Sequence, residues 1–157
     1  MEQRLIFTPG DSINRFLRDI IVTIISAEES ERGENTMDIE RTKAYYEQIK
    51  EDSLCTCIYC QNYYRQIRGA YPALSEYLSH LGVDIEKSYY PMPCDPDKTG
   101  MIKYVAGLYI IFGTPDGFEK TTIGSVHVNT TEIYPPTEIE EDHFVVEVSP
   151  IFLKWIM

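Results

Sequence analysis

Three cysteines fall within six residues of the sequence, in the C-x-C-x-x-C pattern of Cys55, Cys57 and Cys60, and Cys94 lies well downstream. Four thiolates suit zinc, which takes soft sulfur ligands in tetrahedral geometry without a change of redox state. One hypothesis is therefore a zinc site formed by all four cysteines, with His80 as an alternative fourth ligand. A zinc ribbon has two paired knuckles, whereas the second knuckle here is a single cysteine, so the ligand pattern is incomplete.

Cys57 and Cys60 also form a C-x-x-C pair at the predicted start of a helix. The helix dipole and the free N–H groups at such a position stabilise a thiolate and lower its pKa, as redox chemistry requires. A thioredoxin-like enzyme places this motif after a strand of a βαβ unit, and the sequence predicts no such strand here.

A third interpretation assigns the cysteines no chemistry. Free cysteine is among the most buried residue types, so the three side chains would pack the start of the helix. The sequence leaves the metal, redox and packing interpretations open.

The histidines His80, His127 and His143 are the other candidate bases or ligands. None has a Ser, Cys or Asp at a spacing that implies a nucleophile and its base, so we interpret them as structural.

Two acidic segments match cation-binding loops only in part. Residues 138–142 are rich in carboxylates but lack an Asp-x-Asp-x-Asp-Gly loop. Asp95, Asp97 and Gly100 resemble a fragment of such a loop, yet Pro96 interrupts it and no bidentate Glu follows. We interpret both segments as solvated loops.

Arg65 and Arg68 lie beside Tyr63 and Tyr64 in the one basic and aromatic cluster of the sequence. Such a cluster is able to stack a base or hold a phosphate. Against the acidic remainder of the chain, we favour ion pairing with nearby carboxylates.

Composition limits the class of protein. The chain has 157 residues, 43% of them hydrophobic and 25% charged, which predicts one globular domain and not a disordered chain. Its net charge of -11 argues against nucleic acids and anionic membranes as ligands. No apolar stretch is long enough to span a membrane, and the first residues lack signal-peptide features. We expect a cytoplasmic protein.

The pattern along the chain predicts an appended segment and one domain. Residues 1–36 contain a predicted strand at 4–8, an amphipathic helix at 13–25 and a polar linker at 27–36. Residues 37–157 form the predicted domain, in which helices come first and strands follow. This order is typical of an α+β fold, with N-terminal helices packed on a mostly antiparallel C-terminal sheet.

The predicted elements of the domain follow local signals. A helix is expected over residues 38–50, another continues from the cysteines to residue 67 and stops at Gly69, and a third begins at Pro72 and ends at Gly82. Residues 88–100 are predicted to be a loop. Strands are expected at 102–112, 120–128, 144–148 and 151–156, with a hairpin turn at 114–117 joining the first two and Pro150 at a bulge or an edge.

Residues 54–64, LCTCIYCQNYY, resemble an uncharacterised family of small clostridial-type bacterial proteins that carry a C-x-x-C-x-N-[FY] motif. The likeness extends over residues 70–72, 81–87, 109–113 and 144–155, so it covers about residues 38–157. The resemblance implies no activity. It implies that Cys57, Cys60 and Asn62 form one local unit, and that the C-x-x-C pair, not a four-cysteine set, is the common feature.

No nucleophile and base pair, phosphate-binding loop or nucleotide fingerprint is present in the sequence. We therefore expect a non-enzymatic binding or regulatory protein with an unidentified protein partner. Its twelve tyrosines suggest a tyrosine-rich contact surface. The alternative is a thiol redox or zinc-binding protein centred on the cysteine cluster.

Overall fold

The computed structural model describes residues 36–157, in which three α-helices precede a six-stranded sheet. The predictions for residues 1–35 lie outside this part. Two short 3-10 helices lie at Glu51–Ser53 and Ile85–Lys87. The other elements are α1 Ile39–Gln48, α2 Ile58–Ala70, α3 Pro72–His80, β1 Tyr90–Pro93, β2 Met101–Phe112, β3 Thr121–Ile123, β4 Val126–Thr131, β5 His143–Ser149 and β6 Ile151–Lys154. This arrangement confirms the α+β prediction.

Every strand pairing among the described residues is antiparallel. The strand order is β1-β2-β5-β4-β3, and β6 also pairs with β2. The long strand β2 pairs with β5 through its second half, where Gly107 lies opposite Val148, and with β6 through its first half, where Tyr104 lies opposite Ile151. Pro150 separates β5 from β6, because a proline has no N–H to donate to a neighbouring strand and therefore interrupts the pairing.

Two strand predictions are wrong. Residues 114–117 do not close a hairpin between adjacent strands, because β5 lies between β2 and β4 in the sheet. Strand β5 is buried at Phe144, Val145, Val146 and Val148, and burying these side chains at the centre outweighs a local turn preference. The predicted strand over 120–128 is two strands, β3 and β4, which are separated by Gly124 at a φ of 62°.

Two local boundaries also differ from expectation. Strand β1 lies within the predicted loop 88–100, where Pro91 and Pro93 are compatible with an edge strand. Helix α2 runs through Gly69 and ends at Ala70, and its C-cap residue is Tyr71, the residue before Pro72. A residue before proline is disfavoured in helical conformation, so Pro72 ends this helix and begins the next.

The core lies mainly between the helices and one face of the sheet. Tyr63, Ile67, Leu74 and Leu78 from α2 and α3 are almost completely buried in it. A smaller cluster, which includes Leu108, Ile110 and Phe112, lies on the opposite face under Tyr134 and Ile139. The register between β1 and β2 shifts between Pro91 and Pro93, so β2 contains one extra residue there. Because of this bulge, Tyr104 and Tyr109 reach the same core.

Helix α1 begins beside the edge of β2 that β1 leaves open. The Asp38 N–H donates to the carbonyl oxygen of Phe112, and the Phe112 N–H donates to Thr42 Oγ1. The Tyr46 hydroxyl accepts from the Ile110 N–H and donates to the Ile110 carbonyl. Thr42 and Tyr46 are four residues apart in the helix, and this distance along the helix axis is close to the distance between alternate residues of a strand, here Ile110 and Phe112. Side chains thus satisfy backbone groups that a further strand would otherwise pair.

Candidate functional site

The cysteine segment turns into helix α2 at Cys57, which is the N-cap residue. Cys57 has extended backbone angles (φ -63°, ψ 150°), and its Sγ atom accepts a hydrogen bond from the Cys60 N–H at 3.4 Å. This bond satisfies one of the N–H groups that a helix start leaves without a partner. Gln61 Nε2 donates to the Cys55 carbonyl at 2.8 Å and holds the preceding residues against the helix.

These contacts bring three thiols together. The Sγ atoms of Cys55, Cys57 and Cys60 all lie within 4.8 Å of one another. Cys55 and Cys57 are exposed, whereas Cys60 is only 8% exposed. The three sulfur atoms therefore form a convergent donor set with one buried and two accessible members.

The environment separates the acidities of Cys57 and Cys60. Desolvation raises the pKa of the Cys57 thiol. Hydrogen bonds from the Cys60 N–H, the neighbouring thiols and the Tyr59 N–H lower it by more, so the pKa lies below that of a free cysteine. Burial raises the pKa of Cys60 well above its usual range, and hydrogen bonding and charge repulsion from Cys57 and Cys55 add to this increase. The exposed thiol is thus the more readily ionised of the two.

The structure places the proposed fourth ligands outside this set. Cys94 is exposed just after β1, where its N–H donates to the Lys103 carbonyl at 2.8 Å. His80 is exposed at the last residue of α3. No fourth His, Cys, Asp or Glu of residues 36–157 joins the three thiols in a group of mutually close ligand atoms. The cluster is therefore a three-sulfur site in this structure.

Asn62, the polar residue of the predicted local unit, anchors the end of the chain. Its side chain is fully buried, and it donates to the Lys154 carbonyl at 3.0 Å and accepts from the Ile156 N–H at 3.0 Å. It also donates to the Tyr104 hydroxyl and accepts from Gln66. Asn62 therefore has a structural role next to the cysteines, with all of its hydrogen-bonding groups engaged.

The start of α2 is fixed on the sheet by aromatic side chains. The Tyr104 hydroxyl donates to the Tyr59 carbonyl at 2.6 Å, and the Tyr59 ring packs 5.3 Å from the Trp155 ring. Tyr63 is completely buried, and its hydroxyl lies 2.8 Å from the Tyr109 hydroxyl. These contacts hold the helix that carries the thiols, and a site on a rigid element is positioned more precisely than one on a loop.

Two clefts adjoin the cysteine segment. One, of about 290 Å³, is lined by Cys55, Leu54 and Tyr64 together with side chains from α1. The other, of about 420 Å³, shares Leu54 and Tyr64 and is more polar. Lys87 lines both clefts, where its Nζ atom donates to the Tyr46 carbonyl at 2.7 Å and lies 3.7 Å from Asp84. Of the three cysteines, only Cys55 lines either of these two clefts, so a small molecule in the cleft of about 290 Å³ would lie beside Cys55.

The acidic segments have structural partners. Glu141 forms a two-point ion pair with Arg41, whose guanidinium also lies 4.2 Å from the centre of the Phe112 ring. Asp97 accepts hydrogen bonds from the Thr99 hydroxyl and N–H and from the Met101 N–H. These bonds, that of the Thr99 hydroxyl foremost, lower the pKa of Asp97. The Asp97 loop therefore closes on its own backbone.

The basic and aromatic cluster is confirmed as an ion-pairing site at Arg68, which contacts Asp84 at 2.8 Å and Glu86 at 2.9 Å. Tyr63 and Tyr64 are buried, so they offer no stacking surface. His127 is exposed beside Thr122, and His143 lies between the Thr137 hydroxyl and the Glu141 carbonyl. No histidine of the chain joins the thiols in a ligand group.

The tyrosines do not form an exposed contact surface. All twelve lie among the described residues, and only Tyr90 is exposed; the other eleven are buried or half-buried. Several of their hydroxyl groups are hydrogen-bonded inside the fold, as at Tyr46, Tyr63 and Tyr109. Composition failed to predict this, because tyrosine is equally suited to an interface and to a core with polar partners.

Comparison of the chain with protein-family models, with curated proteins and with solved structures finds no match in any of the three. The resemblance to the C-x-x-C-x-N-[FY] family therefore stays a prediction. Within residues 36–157, no helix combines the length and the apolar composition needed to cross a membrane.

Proposed function

We propose that this protein binds a soft metal ion, zinc foremost, through the thiolates of Cys55, Cys57 and Cys60. The observation that carries the proposal is the mutual distance of the three Sγ atoms, all within 4.8 Å. Thiolates prefer zinc and other soft ions over hard cations such as calcium or magnesium. The proposal belongs to the non-enzymatic binding class and does not require a nucleophile and base.

Exposure favours metal binding over simple core packing. Packing would bury the cysteines, yet Cys55 and Cys57 are exposed and only Cys60 is buried. An ion bound by the three sulfurs would have one ligand anchored in the core and two that solvent reaches. The N-cap bond to Cys57 and the Gln61 bond to the Cys55 carbonyl support this convergence without the ion.

The first test is the metal content of untagged full-length protein purified without chelator, measured by elemental analysis and by titration with Co²⁺. We expect about one ion per chain. Cys55→Ser, Cys57→Ser and Cys60→Ser should each weaken binding strongly, whereas Cys94→Ser is the matched control and should bind as the wild type does. Stoichiometric binding that survives all three cluster substitutions, or no binding by the wild type, would overturn the proposal.

A second candidate function, thiol–disulfide exchange, is supported by one observation, the contrast between exposed Cys57 at the N-cap and buried Cys60. The Cys57 thiolate would attack a substrate disulfide and release one substrate thiolate. Cys60, losing its proton to solvent, would then attack the Cys57 sulfur and release the second. The substrate disulfide gains the two electrons that the Cys57 and Cys60 sulfur atoms lose when they form their disulfide.

Redox exchange is tested by equilibrating the metal-free protein with reduced and oxidised glutathione and mapping the disulfides by mass spectrometry. A Cys57–Cys60 disulfide that also forms in Cys55→Ser supports exchange. Persistence of free thiols across all glutathione ratios would exclude it and leave metal binding as the function of the cluster.

A further inference from the structure

We propose, building on the metal-binding function above, that an ion held by Cys55, Cys57 and Cys60 completes its coordination with a small external thiol that enters the cleft beside Cys55. The ligand class is a small thiol bound as its thiolate. The site would then be an exchangeable metal site and not a closed structural one.

Three protein ligands leave the coordination of the ion incomplete. A structural zinc site is closed by four protein ligands, whereas three protein ligands leave one position open. Every cysteine and histidine of the sequence lies within residues 36–157, and none joins the three thiols as a fourth close ligand. The two soft donors predicted for this position, Cys94 and His80, lie elsewhere on the surface. The fourth position therefore needs a donor from outside the group.

The cleft lies beside Cys55, one of the two exposed donors. Cys55 itself lines the cleft, with the apolar walls of Leu54 and Tyr64 beside it. Its volume of about 290 Å³ is at the lower end of ordinary ligand sites, so it admits a small molecule and not a folded partner. Lys87 also lines the cleft, where its ammonium group already donates to the Tyr46 carbonyl and lies 3.7 Å from Asp84.

The chemistry of the ion selects the ligand class. An ion that already has three sulfur ligands is a soft acceptor, and a further thiolate suits it better than a carboxylate. In the exchange, the thiol loses its proton to solvent and its sulfur bonds to the ion, while the water that held the position leaves. No atom changes oxidation state. Because the incoming ligand binds before a cysteine has to leave, such a site is able to release its ion through associative exchange.

The test uses full-length protein loaded with Co²⁺, to which 2-mercaptoethanol is added, with 2-(methylthio)ethanol as the matched thioether control. The sulfur-to-cobalt charge-transfer band should grow by about one third, because the thiolates increase from three to four. The thioether should leave it unchanged. In Leu54→Trp, which fills the cleft but keeps the cysteines, we expect the same cobalt stoichiometry and a thiol concentration for half-maximal change about tenfold higher.

The outcomes distinguish this inference from the function on which it rests. Failure of Co²⁺ to bind overturns both. Binding of one Co²⁺ with no response to the thiol, or a four-sulfur spectrum that is lost in Cys94→Ser, overturns the external ligand alone. A thiol response that is identical in the wild type and Leu54→Trp also overturns it, because the ligand would then bind outside the cleft.

Discussion

The Sγ atom of Cys57 accepts the backbone N–H of Cys60 at 3.4 Å, so the exposed first cysteine of the pair caps the helix that carries the buried second one. The same short segment therefore begins α2 and forms the candidate site. This double role makes stability and ligand binding separable by the choice of substitution.

The burial of the thiols predicts their order of alkylation. In reduced, metal-free protein at neutral pH, a maleimide should modify Cys55, Cys57 and Cys94 quickly and Cys60 only after unfolding, because a reagent cannot reach the buried sulfur. Mass mapping of the labelled peptides measures this. Fast labelling of Cys60 in the folded protein would contradict the burial on which the site geometry depends.

Two substitutions of Cys57 should separate capping from ligand binding. Cys57→Ser keeps an N-cap acceptor, so the free energy of unfolding should stay within about 0.5 kcal/mol of the wild type while metal binding falls. Cys57→Ala removes the acceptor and should cost about 1 kcal/mol more. Urea unfolding of the metal-free proteins makes the comparison, and equal stability of the two variants would refute the capping role.

Replacing Asn62 should loosen the end of the chain. Asn62→Ala removes the acceptor of the Ile156 N–H and one of the two donors to the Lys154 carbonyl, which keeps its bond from Gln66. It also leaves a gap at a fully buried position, so the free energy of unfolding should fall by about 2 kcal/mol. The nearby Trp155 fluorescence should shift toward that of a solvent-exposed indole before global unfolding. Asn129→Ala, at an exposed position with only a local hydrogen bond, is the control and should change stability by less than about 0.5 kcal/mol.

Gly107 and Gly69 should respond in opposite directions to alanine. A Cβ atom at Gly107 would overlap the Tyr63 hydroxyl, so Gly107→Ala should destabilise the protein by about 2–3 kcal/mol. At Gly69, within α2, an added Cβ meets no atom within 4 Å, and Gly69→Ala should stabilise the helix by about 0.5–1 kcal/mol. Thermal and urea unfolding check both signs; a neutral Gly107→Ala would contradict the packing of α2 against β2.

Buried tyrosines should make the protein sensitive to alkaline pH. Desolvation raises the pKa of Tyr46 and of Tyr109 well above their usual value. A folded-state pKa above the unfolded value means that the folded state holds more protons, so its stability is complete below about pH 10 and is lost as the pH rises further. The urea midpoint should therefore fall above about pH 10, where the unfolded tyrosines ionise. A midpoint that stays constant to about pH 11 would rule this out.

Local signals in the sequence were sufficient for much of the fold. Pro72 predicted the start of α3, and Gly82, at a φ of 81°, predicted its end, because each residue has a strong conformational preference. The apolar, β-branched runs predicted strands β2 and β5 nearly to their ends. The clustering of three cysteines likewise predicted the candidate site, since neighbours in the chain at a helix start are unavoidably close in space.

The tertiary structure alone decided which strands are neighbours, which thiols are exposed and which predicted ligands are left out. Strand β2 pairs with β5 and β6 because this arrangement buries apolar surface of the whole domain. The hydrogen bond between Asn62 and Ile156, which are 94 residues apart, forms because a buried polar side chain needs partners. Cys94 was predicted as a zinc ligand from its residue type, but it lies outside the group of three thiols. The position of a residue in the sequence does not define its distance from others in space. Such long-range pairings are cooperative, and no local pattern contains them.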